Sequence, residues 1–138
     1  MQLDKYGLNF HHLGLAVREP AAARKFCAGL GYKIGDPIFD RNQNVNVQLC
    51  THSTMPAIEI VFPGAGDGPL AAILQRGSGW IYHICYETKN EVNSLQAMEK
   101  DGLLITEIQP KMPAALFSGR PVSFHKIANV GIVELLSS

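Results

Sequence analysis

"FHHLGLAV", residues 10–17, decides how this chain is read. Residues two apart on a β-strand share a face, so two adjacent histidines within one strand must part company. Leu13, Leu15 and Val17 make an apolar side that a helix would cover, and His11 shares it only at the edge. His12 falls on the other side with Gly14 and Ala16, whose small size leaves room beside an imidazole. An imidazole turned away from the core of its own strand calls for a reason.

Outward from that strand the period changes. In "REPAAARKFCAGLGY", Pro20 suits a first helical turn, Ala22, Phe26 and Leu30 keep helical spacing, and Gly31 is a natural stop. "GDPIFDRNQNVNVQLC" predicts a turn and then a strand, with Val45, Val47 and Leu49 alternating against Asn44, Asn46 and Gln48. "PAIEIVF", residues 56–62, is another strand, and "PGAGDGP", residues 63–69, reads as a linker followed by a short helix through Leu70 to Gln75. The pattern then recurs. "IYHICYE" (81–87) is a strand, "NEVNSLQAMEKDG" (90–102) a helix capped by Asn90 and stopped by Gly102, and "LLITEI", "PVSFHKI" and "VGIVELL" are extended.

The two passes are in register. His12 and His83 stand 71 positions apart, as do Gly31 and Gly102; Glu59 and Glu134 stand 75 apart, which an insertion in "KMPAALFSGR" explains. The expectation is one α+β domain over residues 1–138, made of two tandem β-α-β-β-β modules. Module one covers about 8–63, module two about 79–137, and 64–78 links them. Neither half has core enough alone, so the pair would form a curved mixed sheet around a shared cleft.

Parity then selects four residues. Glu59 points away from Ile58, Ile60 and Phe62; His83 points away from Tyr82, Ile84 and Tyr86; Glu134 points away from Val133 and Leu135. With His12, each half offers one imidazole and one carboxylate on the face opposite its helix. Such a nitrogen/oxygen set suits one divalent ion: zinc, cobalt, nickel, manganese or iron.

Composition narrows the function. Twelve basic and twelve acidic side chains cancel, so no basic stripe points to nucleic acid. No apolar run reaches a membrane span, "MQLDKYGLNF" lacks the features of a signal peptide, and three cysteines without CxxC spacing suggest neither a disulfide framework nor a thiolate zinc site. A cytoplasmic protein acting through a local site is expected.

"FHHLGLAV", "AIEIVFPG", "GSGWIYHICYE" and "VGIVELL" resemble the four metal-bearing strands of the vicinal oxygen chelate superfamily. That group includes glyoxalase I, methylmalonyl-CoA epimerase, extradiol dioxygenases, and fosfomycin-resistance and bleomycin-binding proteins. The resemblance runs from Phe10 to Leu136 and implies a glyoxalase-like fold, a homodimer, and metal ligands at His12, Glu59, His83 and Glu134. It is strongest to methylmalonyl-CoA epimerase, through "IEIVFPGAGDGPLAAILQRGSGWIYHICYE". The asparagine-bearing loop and "DPDG"-like turn of glyoxalase I are missing. Where some epimerases carry a second glutamate the chain reads "QNVNVQLC", with Val47 near that place, and "KMPAALFSGRPVSF" departs from the family's glycine-rich loop.

The resulting expectation is a metal-dependent isomerase or lyase, epimerase-like, that removes a proton next to a metal-bound carbonyl of a small molecule or acyl-CoA thioester. Glu134 is the expected base and Glu59 the second choice. Gln48, Asn46, Ser123, His125 and Arg120 are candidates for holding substrate, while His11 and His52 read as structural or exposed. The alternatives are a glyoxalase I-like lactoylglutathione lyase and a non-catalytic, antibiotic-type binding protein.

Overall fold

The computed structural model describes residues 4–138. The first half comprises β1 (Leu8–Ala16), α1 (Ala21–Gly29), β2 (Lys33–Ile34), β3 (Ile38–Asp40), β4 (Val45–Thr51) and β5 (Ile58–Pro63). A short α2 (Pro69–Leu74) leads to β6 (Trp80–Thr88), α3 (Glu91–Lys100), β7 (Ile105–Pro113), β8 (Pro121–Ile127) and β9 (Gly131–Ser137). All nine strands join one mixed sheet in the order β2-β4-β5-β1-β6-β9-β8-β7, with β3 paired to β4. In each half the first strand runs parallel to the last, β1 with β5 and β6 with β9, while β1 and β6 meet antiparallel at the seam. The chain has an α+β, glyoxalase-like fold. No helix among the described residues is long and apolar enough to cross a membrane.

Local sequence explains the helix ends. The Asn90 side chain accepts from the Asn93 amide at the start of α3. Past the last turns, Gly31 and Gly102 take φ of +93° and +89°, a left-handed conformation that glycine enters without a Cβ penalty. The faces of α1 differ from expectation. Phe26 is 69% exposed and Leu30 44%, while Cys27 is buried. The stripe Ala22–Phe26–Leu30 therefore looks to solvent, and Cys27 with Ala23 packs onto Val17, Tyr32, Cys50 and Ile60.

Both faces of the sheet are apolar. Under the helices lie Val17, Cys50 and Ile60 in the first half, and Met98, Ile127, Val133 and Leu135 in the second. The opposite face carries Ala16, Val45, Val47, Val61, Leu70 and Leu74 in the first half, and Cys85, Ala114, Val122, Phe124 and Leu136 in the second. Val45 and Val47 thus line the cleft, and the polar residues between them face α1. Within "KMPAALFSGR" a single 3-10 turn, Ala115–Phe117, folds over the cleft, with Phe117 packed on its inner core.

Candidate metal centre

Four neighbouring strands, β5, β1, β6 and β9, each turn one polar side chain into the cleft. Glu59, His12, His83 and Glu134 are all buried, His12 completely. His12 Nε2 lies 3.1 Å from Glu134 Oε1 and 3.5 Å from Glu59 Oε1. His83 Nε2 lies 3.0 Å and 3.5 Å from the same two oxygens, and 3.3 Å from His12 Nε2. Donors about 2.0–2.1 Å from one zinc ion stand ~3.3 Å apart in a tetrahedron and ~3.0 Å along a cis octahedral edge. The measured separations span those values. Glu134 Oε1 is buried without a hydrogen-bond partner although two imidazole nitrogens surround it. Four donors aimed at a common point rather than at one another fit a cation.

The strands reach this arrangement through two bulges. Along the seam Phe10 pairs with Tyr86 and His12 with Cys85, leaving His11 as an extra residue; Gly14 pairs with His83 and Leu15 with Ile81, leaving Tyr82 extra. His11 and Tyr82 are themselves 71 positions apart, so the bulge occurs at the same place in both halves. Each bulge carries its residue to the cleft side, against the simple alternation that kept His11 at the apolar edge and Tyr82 with Ile84 and Tyr86. His11 Nδ1 lies 2.8 Å from His12 Nδ1, and the His11 ring meets Phe117 edge-on at 5.1 Å. The Tyr82 ring packs edge-on against His83 at 4.4 Å. Gly14 faces His83 across the seam, and a Cβ there would clash with the Cε1, Nδ1 and Nε2 atoms of the imidazole ring. Pattern alone missed His11 and Tyr82; a matched two-residue step at both His12 and His83 was the only signal available.

The expected substrate contacts fare differently. Gln48 lies on the helix side, where its Oε1 accepts from Arg24 Nε at 2.6 Å and its Nε2 donates to the Gly35 carbonyl at 2.6 Å. Asn46 shares that face and donates to the Pro63 carbonyl. Ser123 and His125 pair with Leu135 and Val133, on the α3 side, and both bond Glu91 at the first turn of α3. Arg120 donates to the Ser137 carbonyl and pairs with Glu87. None of Gln48, Ser123, His125 and Arg120 is brought to the four donors: parity in β4 and β8 sends Gln48, Ser123 and His125 to the helix side, and Arg120, just before β8, is held by Ser137 and Glu87. The side chains that do line the small cavity beside Glu59 and Glu134 are mostly apolar, including Val45, Val47, Val61 and Phe124, with Tyr82 and Asp40. Asp40 is held by the Asn42 and Gln43 amides of its own turn. A neighbouring cavity of about 90 Å³ continues past Leu70, Ile73 and Ile132. A wide open groove of about 850 Å³ touches the donor set only through His83 and carries Arg76 and Lys126 on its walls.

Burial opposes a charged His12, yet the neighbouring Cys85, Glu134 and Glu59 outweigh it and push the imidazole pKa up to about 12. Burial also opposes a charged Glu134, but the two imidazoles beside it, His83 foremost, hold its carboxyl well below the usual range. Burial first, and then the charges of Glu59 and Glu134, drive the Tyr82 phenol well above its ordinary pKa, so it stays neutral. Two carboxylates in a dry cleft demand positive charge, which a proton supplies on His12 or a divalent ion supplies in its place.

Residues 11–124 match the model of the Glyoxalase/Bleomycin resistance protein/Dioxygenase superfamily. No curated protein matches the sequence. Among solved structures, a hypothetical protein from Bacillus halodurans C-125 is similar at 22% identity and a TM-score of 0.78, over 95% of this chain and 94% of that one. Methylmalonyl-CoA epimerase from Mycobacterium tuberculosis is similar at 15% identity and 0.79, over 99% and 92%. The Streptomyces coelicolor methylmalonyl-CoA epimerase, in complex with 2-nitronate-propionyl-CoA, is similar at 18% and 0.71, over 94% and 96%. At these identities the likeness establishes the fold.

Proposed function

This chain belongs to the Glyoxalase/Bleomycin resistance protein/Dioxygenase superfamily, and from that premise we propose that it is a divalent-metal-dependent enzyme of the epimerase kind, which removes a proton beside a substrate carbonyl. One observation carries the proposal: two imidazoles and two carboxylates, buried on adjacent strands, converge within 3.0–3.5 Å with Glu134 Oε1 unpartnered. His12, Glu59, His83 and Glu134 would hold the ion. When bound, it supplies a Lewis acid that polarises the carbonyl and acidifies the adjacent C–H.

The chain's own groups do the rest. Glu134 is the base in this reading, since a carboxylate of the donor set can swing from ligand to proton acceptor. Glu59 is the second candidate. The apolar walls, Val45, Val47, Val61 and Phe124, exclude water and strengthen each charge interaction inside. The neutral phenol of Tyr82 lies on the same cavity and can offer a hydrogen bond to a substrate oxygen. Small acyl-CoA thioesters and α-oxygenated carbonyl compounds are the proposed substrate classes. We also propose a homodimer, supported by Ile81, which stays 45% exposed on the seam strand β6, and two modules divided at the α2 segment.

A second reading, a protein that sequesters a small apolar molecule, is supported by Val47 in the cavity wall, where an acid would serve a two-base reaction. One experiment separates the two. Metal-loaded protein is incubated in deuterated water with a panel of acyl-CoA thioesters and α-oxygenated carbonyls, with Glu134→Gln as control. Exchange by the native protein alone supports the enzyme; if the variant exchanges every compound as fast as the native chain, proton abstraction by Glu134 is ruled out.

A further inference from the structure

His12 enters the donor set through Nε2, which leaves Nδ1 on the far side of the ring, 2.8 Å from His11 Nδ1. Two imidazole nitrogens at that distance share a single proton, one donating and the other accepting. The direction matters. With the proton on His12 Nδ1, His12 Nε2 is a bare lone pair facing the centre; with the proton on His11 Nδ1, a neutral His12 carries its hydrogen on Nε2 and blocks the position. We propose that His11 is a positioning residue: its Nδ1 accepts from His12 Nδ1 and so holds His12 in the one tautomer that can ligate an ion.

Three observations support this. His11 is the extra residue of the β1 bulge, so its place on the cleft face comes from an irregularity that regular pairing would remove. Phe117 fixes both rings at once, edge-on to His11 at 5.1 Å and stacked on His12 at 5.4 Å and 26°. The His83 Nδ1, in the equivalent place of the other half, is buried with no hydrogen-bond partner among the described residues. An outer acceptor therefore serves one imidazole and not the other. Such partners orient a ligand histidine and raise its basicity, and losing one costs ~10–100-fold in metal affinity.

The inference rests on the metal reading above, and the test separates the two. Zinc affinity is measured by competition with a chromophoric chelator for the native protein, His11→Leu and His11→Asn, and the ¹⁵N imidazole spectrum of the zinc-loaded native protein is recorded. Leucine should weaken zinc binding ~10–100-fold. Asparagine, whose Oδ1 is an acceptor near the place of Nδ1, should restore most of it, and the spectrum should show His12 protonated at Nδ1 and ligated through Nε2. Equal affinity in native and leucine proteins, asparagine as weak as leucine, or ligation through His12 Nδ1 overturns the role of His11 alone. Two ions per chain, one of them lost in Cys85→Ala, would make His11, His12 and Cys85 a separate metal site and overturn it as well. Native protein that binds no zinc refutes the metal reading itself. If the leucine variant does not fold, the spectrum of the native protein still decides.

Discussion

His12 and His83 occupy matching positions in the two halves, yet different neighbours hold them. In the first half the grip is polar: His11 lies at hydrogen-bonding distance, the Cys85 thiol lies near the ring across the seam, and Phe117 stacks on it. In the second half the grip is steric. Tyr82 and Phe124 press edge-on at 4.4 and 5.3 Å, and Gly14 opens the space that the ring fills. The pairs His12–Cys85 and Gly14–His83 are equivalent under the same 71-residue offset. The two halves thus share their donor atoms while the surroundings differ, and they ought to fail in different ways.

The carboxylates give the harshest test of that asymmetry. Glu134→Gln should lower deuterium exchange by ~10²–10⁴-fold, the usual share of a positioned base, while Glu59→Gln keeps more of the rate. Equal losses in the two variants would erase the functional distinction between the halves. Next in size is the seam. Gly14→Ala drives a methyl into the His83 ring, and should weaken zinc binding by ~10–100-fold and metal-free stability by ~1–3 kcal/mol. Cys85→Ala, at the equivalent position, should cost less zinc affinity, as read by chelator competition. The reverse ranking would show that hydrogen bonding, and not space, governs both rings.

The smallest effect concerns the helix straps. Glu91 of α3 bonds Ser123 and His125, and Lys111 lies 3.5 Å away. Burial opposes its charge, but these three partners prevail and hold its pKa below the ordinary 4.5. A carboxyl depressed in the folded state stabilises fully above about pH 4.5 and loses that contribution as the pH falls through the folded value. The native protein should therefore exceed Glu91→Gln by ~1 kcal/mol at neutral pH, with the gap closing in acid. Gln48→Ala should cost a similar amount at every pH, because the amide it removes carries no ionisable group. Denaturant melts of the metal-free proteins between pH 3 and pH 7, run as a series, check both slopes at once.

How much of this was legible in the sequence follows from the physics of a sheet buried on both faces. Parity and the 71-residue offset drew His12, Glu59, His83 and Glu134 into one group, and the structure brings their donor atoms together. Alternation shows which residues share a face, but it reveals which face is which only when one side meets water. In β4 the valines lie inward and Gln48 outward, so polarity there does not mark the cleft face. The same holds for Ser123 and His125. The bulges are illegible for a different reason: one added residue leaves the composition unchanged and shifts the alternation only once within a short strand. The strap over the cleft, Ala115–Phe117, read only as an insertion.

Those two added residues have a genetic consequence. Before the bulge, Leu8 packs on the α3 side and Phe10 meets Tyr86, which packs there too; after it, the odd-numbered Leu15 and Val17 take the helix side. The bulge is a phase change in the strand, and the same change occurs in its twin. A single-codon deletion at either place would turn every side chain on one flank to the wrong face, whereas paired substitutions could leave the pattern whole. Lineages carrying this architecture should tolerate changes of letter at positions 11 and 82 far better than changes of length.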